Sequence, residues 1–300
     1  MNAHNILIAG AGGNAGSYLV RELSESNSLT LLTRSQAKLS PNLKQHIASN
    51  ATNVQQHHIL EADVLRPATL KGACIGIDTI ISAVGASLNL RAMSDRHSFM
   101  EVDLQGNLNL LAEARQVGVR RFVYLSAFGA ETMPTAYTKS HEEFVQHLKS
   151  SGLEYGIVRP TGFFYVNLEF LGMAKNGFAS VIGNGKSRTN PIHEADVAKA
   201  CAEAALKEGN LEMNIGGPET FTRLEIAELA FGVLGKKPRV MHIPALLPKV
   251  IKPLIAPLNK RVGDLVEFLA YVATHECVAP VYGERRLGDY FAGNAQVSGL

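Results

Sequence analysis

The strongest constraint on this chain sits at its start. Asn5-Ile6-Leu7-Ile8-Ala9 is a short apolar run, and Gly10-Ala11-Gly12-Gly13-Asn14-Ala15-Gly16 follows it and opens an amphipathic helical pattern. Gly10, Gly13 and Gly16 give G-x-x-G-x-x-G, with an extra glycine at Gly12. A strand, a tight glycine turn and a helix form the context that a dinucleotide phosphate needs. Without a β-carbon, the turn can be sharp, the backbone can approach the pyrophosphate, and the helix can pack close to the strand. Backbone N–H groups and the dipole at the helix start then favour the phosphate charge.

Apolar runs and helical periods alternate along the first half. Strands are expected at 4–10, 29–33, 54–62, 78–85, 120–126 and 153–159, with helices at 14–25, 97–117 and 137–150. In the helix at 97–117, Leu104, Leu108, Leu111 and Ala112 should face the core, and Gly118 should end it. This rhythm predicts an α/β fold: a doubly wound parallel sheet with a smaller, mainly helical C-terminal substrate lobe. The division is 1–160 for the nucleotide-binding core and 161–300 for the lobe, with strands near 179–182 and 212–217 returning to the core. Helices are expected from His193 to Leu206 and from Thr222 to Leu234, the second with a Thr222/Glu225 capping box.

The end of the second strand bears on which dinucleotide is held. Asp or Glu near this point usually holds the ribose 2′-hydroxyl of NAD. Thr33-Arg34-Ser35 has no acid; Arg34, assisted by Lys38, offers a guanidinium to a 2′-phosphate, which points to NADP (NADPH) over NAD. Asp63 either accepts from the adenine amino group, with Val64 on the ring, or caps the short helix near Pro67–Cys74. Ala83-Val84-Gly85 suits close passage of a ribose. Ser126, Pro160 and Gly162, at later strand ends, complete the candidate cofactor contacts beside Gly10, Gly12, Gly13, Asn14, Ala15 and Gly16. Phe128, Phe163, Phe164, Tyr165 and His193 are the candidate substrate surface; the aromatic cluster is either core or cleft wall.

The formal charge of +2 over 300 residues, with no basic run, gives no ground for a nucleic-acid partner. Cys74, Cys201 and Cys277 are few, odd in number and far apart; no metal spacing appears, and a reducing, cytoplasmic setting is expected. The first strand begins so near Met1 that no signal peptide is expected. Gly185-Lys186-Ser187 hints at a P-loop, but Ser180 stands where its first glycine belongs. No apolar run is long enough to span a membrane. Leu247, Val250, Ile251, Leu254, Ile255 and Leu258 have helical spacing around Lys249 and Lys252, interrupted by Pro253 and Pro257. The segment 245–258 reads as a broken helix packed on the lobe or a second subunit, or as a peripheral membrane contact. The particle is expected to be a monomer or homodimer.

Together these pieces resemble the atypical short-chain dehydrogenase/reductases, particularly the NmrA-like and divinyl-reductase-like groups. The resemblance rests on the Gly10–Gly16 turn, Thr33-Arg34, Ala62-Asp63-Val64, Ser82 to Gly85, Gly118 to Ser126, Lys139 to Glu143, Gly152 to Pro160, His193 to Val197 and Asn214 to Pro218. It covers about residues 4–245. It implies an NADPH-dependent oxidoreductase for a small, largely apolar carbonyl, quinone or enone. Members of the lineage also include redox sensors and an accessory subunit of respiratory complex I with little or no turnover. Standard members carry Ser, Tyr and Lys, the last two as Y-x-x-x-K. Here His141 stands four residues after Tyr137, and Lys139 only two. Lys139 fits the lysine of atypical members, with Glu143 a turn later, and Tyr137 is a reserve acid. Asp103 stands where standard members often carry a helix asparagine.

Overall fold

A computed structural model describes residues 4–50, 56–88 and 96–297. The third strand's first expected residues, 54 and 55, lie outside them. Five β/α units build the first half: β1 (Asn5–Ala9), α1 (Asn14–Leu23), β2 (Ser28–Thr33), α2 (Pro41–Asn50), β3 (His57–Glu61), α3 (Pro67–Leu70), β4 (Thr79–Ser82), α4 (Asn107–Val117), β5 (Arg121–Leu125), α5 (Ala136–Lys149) and β6 (Glu154–Pro160). Seven parallel strands make one sheet in the order β3-β2-β1-β4-β5-β6-β9, where β9 is Leu211–Ile215. The expected doubly wound α/β sheet is present.

Strand alternation divides the core. Ile6 and Ile8 point to one face, beneath α1 and α7 (Glu194–Leu206), while Leu7 and Ala9 point to the other, beneath α3, α4 and α5. Both faces of β1 are buried, as a central strand of a parallel sheet requires. Buried Arg121, at the start of β5, donates through Nε and one terminal nitrogen to Glu154 and the carbonyls of Ala204 and Gly209. The guanidinium of buried Arg159 on β6 faces Glu131, Glu142 and Glu212.

The second lobe holds α6 (Phe164–Lys175), β7 (Ala179–Ile182), β8 (Arg188–Thr189), β10 (Phe221–Thr222), α8 (Arg223–Val233), β11 (Val240–Ile243), α9 (Leu247–Ile255), α10 (Lys260–Thr274) and α11 (Leu287–Val297). Phe164, Leu171, Ile226, Phe231, Leu287 and Phe291 are among its core residues. The Thr222/Glu225 capping box forms as expected.

Three expectations are corrected. Strand β7 pairs with β11 in a separate two-stranded sheet and does not rejoin the core sheet. The helix before β5 begins as a π-helical stretch, Met100–Gly106, and only then becomes α4. Wider turns change the face, so Ala112 is exposed and Asn107, Leu110, Leu111 and Ala114 are buried. Pro253 does not stop α9, whose inner side packs on α10.

Candidate functional site

The strand order reverses between β1 and β4, and this switch point is where parallel α/β sheets hold ligands. Gly10 closes the turn there with φ +80°, and a β-carbon on it would lie 2.7 Å from the Ala83 carbonyl oxygen. A β-carbon on Gly16 would lie 2.1 Å from the Gly10 carbonyl oxygen. The turn and the loop after β4 therefore touch backbone to backbone. Gly12, Gly13 and Asn14 are exposed, while Ala15 is buried beneath them. Gly13 caps α1 without a side-chain hydrogen bond, and no acid occupies the first turn. That leaves the amino end of α1 suited to an anion.

At the end of β2, Arg34 and Lys38 are exposed, and their side chains make no hydrogen bond or ion pair among the described residues. The Thr33 hydroxyl bonds within the turn to Ser35. Glu61 is paired in register with Thr33, and its carboxylate already accepts the Gln36 N–H at 3.0 Å.

Asp63 does not cap α3, whose first flanking residue is Arg66. Its carboxylate accepts the Leu65 N–H at 3.0 Å and lies 3.8 Å from the Arg66 guanidinium. Val64 is buried against Gly106 and belongs to the core, so its side chain is not a bare platform for a ring.

Beyond β4, Ala83 and Val84 are half-buried and Gly85 is exposed beside Asp103. Two polar helix residues lie beneath this loop. Asp103 accepts the Ala86 N–H at 3.0 Å. Asn107, which the sequence reading did not single out, bonds the Ser82 hydroxyl at 2.5 Å and donates to the Asp103 carbonyl at 2.7 Å.

Helix α5 separates the candidate catalytic groups. Tyr137 and His141 share its inner face, ring centroids 4.6 Å apart, with Phe99 and Phe268 also against the Tyr137 ring. Burial, then Asp103 and Tyr165, holds the Tyr137 phenol well above its ordinary range. Lys139 is exposed, and its side chain has no hydrogen bond or ion pair among the described residues. Four residues before Lys139 stands Thr135, whose hydroxyl is used in the cap of α5. Neither register of Y-x-x-x-K is therefore complete: Tyr137 meets His141, and Lys139 meets Thr135. Ser126 is buried, and its hydroxyl has no hydrogen-bond partner among the described residues.

The chain after β6 forms the facing wall. The Phe128 N–H donates to the Pro160 carbonyl, and the Gly162 carbonyl accepts the Ile192 N–H. Phe163 and Tyr165 stack at 5.8 Å. Phe164 points away into the lobe core, against His193 and Tyr290. Imidazole Nδ1 of His193 accepts the Ala195 N–H and caps α7; burial, then Arg285, lowers its pKa. Glu194 is buried, its Oε1 accepts the Tyr165 N–H at 2.9 Å, and its Oε2 has no hydrogen-bond partner among the described residues. Burial raises its carboxyl above the ordinary value. Asn14, Ser17, Tyr18, Arg21, Tyr165, Glu194 and Tyr290 line a cleft of about 240 Å³, so the start of α1 and the wall after β6 share one space. A depression of about 270 Å³ lies at the opposite, amino-terminal ends of β1 and β2, far from these groups.

A glycine cradle at a switch point, an uncapped helix start and a cation at the end of β2 define a dinucleotide-binding protein of the Rossmann fold. The chain belongs to the NAD(P)H-binding family, which matches residues 10–208. It is 27% identical to divinyl chlorophyllide a 8-vinyl-reductase of Arabidopsis thaliana, covering 96% of this chain and 76% of that one. It is 26% identical to a photosystem II assembly factor of Guillardia theta, covering 81% and 74%. An Arabidopsis NADH dehydrogenase 1 alpha subcomplex subunit is 25% identical over 81% of this chain and 61% of its own length. Among solved structures, the NADPH complex of an Escherichia coli NADPH-dependent quinone oxidoreductase superposes with TM-score 0.69 at 19% identity, over 97% of this chain and 99% of that one. No described helix is long and apolar enough to cross a membrane.

Proposed function

We propose that the chain is an NADPH-dependent reductase for a small, largely apolar carbonyl, quinone or enone in a reducing compartment such as the cytoplasm. Two features support this reading: Arg34, an exposed side chain with no ion pair among the described residues, at the end of β2, and a cleft that begins at Asn14 and is lined by Tyr18, Tyr165 and Tyr290. When bound, the nicotinamide supplies a hydride to a substrate carbon. Gly12, Gly13 and Asn14 hold the pyrophosphate, Arg34 and Lys38 the 2′-phosphate, and Lys139 the nicotinamide ribose. Phe163 and Tyr165 exclude water from the substrate side. Three buried, unpaired cysteines agree with the compartment.

A charged hydrogen bond contributes roughly 1.5–3 kcal/mol, so Arg34→Ala should weaken NADPH binding about 10- to 100-fold and leave NADH nearly unchanged. Equal weakening of both, read by nucleotide fluorescence, overturns the NADP assignment. NADPH oxidation with a panel of quinones, aldehydes and enones tests turnover.

One observation favours a second reading. Tyr137 is packed between Phe99, His141 and Phe268, and no complete Y-x-x-x-K exists. A binding module whose nucleotide occupancy controls a partner needs no proton donor. Tight NADPH binding without turnover on the whole panel would select it.

A further inference from the structure

Between Glu228 and Asp264 the chain has no acidic residue, yet it carries seven cations from Lys236 to Arg261. Three of these serve the fold. Lys236 donates to the Lys175 carbonyl, Lys252 pairs with Glu267 at 2.8 Å, and buried Arg261 donates to the Ser87 carbonyl. The side chains of Lys237, Arg239, Lys249 and Lys260 are exposed and have no hydrogen bond or ion pair among the described residues.

Helix α9 lies in the middle of this basic stretch and is apolar on two sides. Its inner side is covered: Pro248 is buried, Ile251 and Ile255 are half-buried, and α10 packs against it. The outer side is bare. Leu246, Val250, Leu254 and Leu258 stand four residues apart, on α9 and the turns at its two ends, and are 69%, 61%, 70% and 79% exposed. From residue 245 to 258 the only polar side chains are Lys249 and Lys252.

We infer that this face docks on an anionic lipid surface, with the leucine stripe in the acyl boundary and Lys237, Arg239, Lys249 and Lys260 on the headgroup phosphates. Aliphatic residues flanked by lysines suit an interface that is apolar on one side and negatively charged on the other. A protein partner would be expected to meet about one hydrogen bond per 100–200 Å², and this stretch offers no hydroxyl, amide or carboxylate to make them. Helix α10 carries Leu265 and Phe268 from the α9 hairpin to Ala86, Phe99 and Tyr137, so the docked face backs onto the loop after β4. The inference does not depend on the reductase reading.

The test is flotation of the full chain with phosphatidylcholine vesicles and with vesicles of equal parts phosphatidylcholine and phosphatidylglycerol. Binding is expected to the second kind only, and it should weaken as salt is raised. Each lysine near such a surface is worth roughly fivefold in partitioning, so Lys237→Gln with Lys249→Gln should weaken binding about 25-fold. Val250→Asp with Leu254→Asp should abolish it. Circular dichroism melting checks that both variants fold; the lysine pair tests the inference even if the aspartate pair does not fold. Absence of flotation with anionic vesicles, or equal binding to neutral ones, overturns it. So does a wild-type dimer in sedimentation that Val250→Asp with Leu254→Asp converts to a monomer, since a second copy would then be what covers the stripe.

Discussion

His141 Nε2 lies 3.3 Å from Asp103 Oδ1 in the interior, and its Nδ1 lies 2.7 Å from the Tyr124 hydroxyl. Among the described residues neither His141 Nε2 nor Asp103 Oδ1 completes a hydrogen bond, so the contact is a close approach of two buried polar groups without hydrogen-bond geometry, while Nδ1 and the Tyr124 hydroxyl are hydrogen-bonded. Both residues depart from the standard pattern of the lineage, and the fold puts the two departures in contact. Removing the imidazole would leave Asp103 with the Ala86 N–H and Tyr124 with no partner. His141→Ala should therefore cost about 3 kcal/mol in urea unfolding, as broken buried pairs do. The double variant Asp103→Asn/His141→Ala should cost less than the sum of its parts.

The turn after β1 has no spare room. A β-carbon on Gly16 would meet backbone, and backbone has no rotamer by which to move aside. Gly16→Ala should lose at least about 2 kcal/mol, measured by thermal melting, and should weaken NADPH binding through displacement of the Gly10 carbonyl. Gly172→Ala, on an open helix surface, is the control and should not destabilise.

Glu194 supplies a pH signature. Its folded-state carboxyl titrates above the ordinary 4.5 because of burial. The folded state therefore holds its proton over a window in which the unfolded chain has lost it, and stability falls as pH rises through that window. Glu194→Gln keeps an acceptor for the Tyr165 N–H and removes the ionisation. Its melting temperature should exceed that of the wild type at pH 7 by the equivalent of about 1 kcal/mol, and the gain should vanish near pH 4. A gain that grows toward acid would contradict the assignment.

Much of the fold was legible because glycine turns and continuous apolar runs are local signals. The phosphate turn, the parallel sheet and the Thr222/Glu225 cap all rest on residues close in sequence. What escaped was set by distance. Ala112 was assigned to the buried face because a 3.6-residue period was carried through a stretch that is π-helical. Phe164 and Phe163 are neighbours in sequence, and only packing against Tyr290 shows that the first faces the lobe core. Asn107, Asp103 and His141 are polar residues on two helices, and nothing in the chain marks them as one buried group.

The sheet ends on β9, although the chain makes α6, β7, β8 and α7 between β6 and β9. A protein cut at residue 160 would keep the phosphate turn but expose the whole backbone edge of β6, a ready template for pairing with other copies. During synthesis the same edge waits while some fifty further residues leave the ribosome, about 3–10 s at ordinary elongation rates. The two halves thus mature as one object, and the nucleotide half is not a portable module.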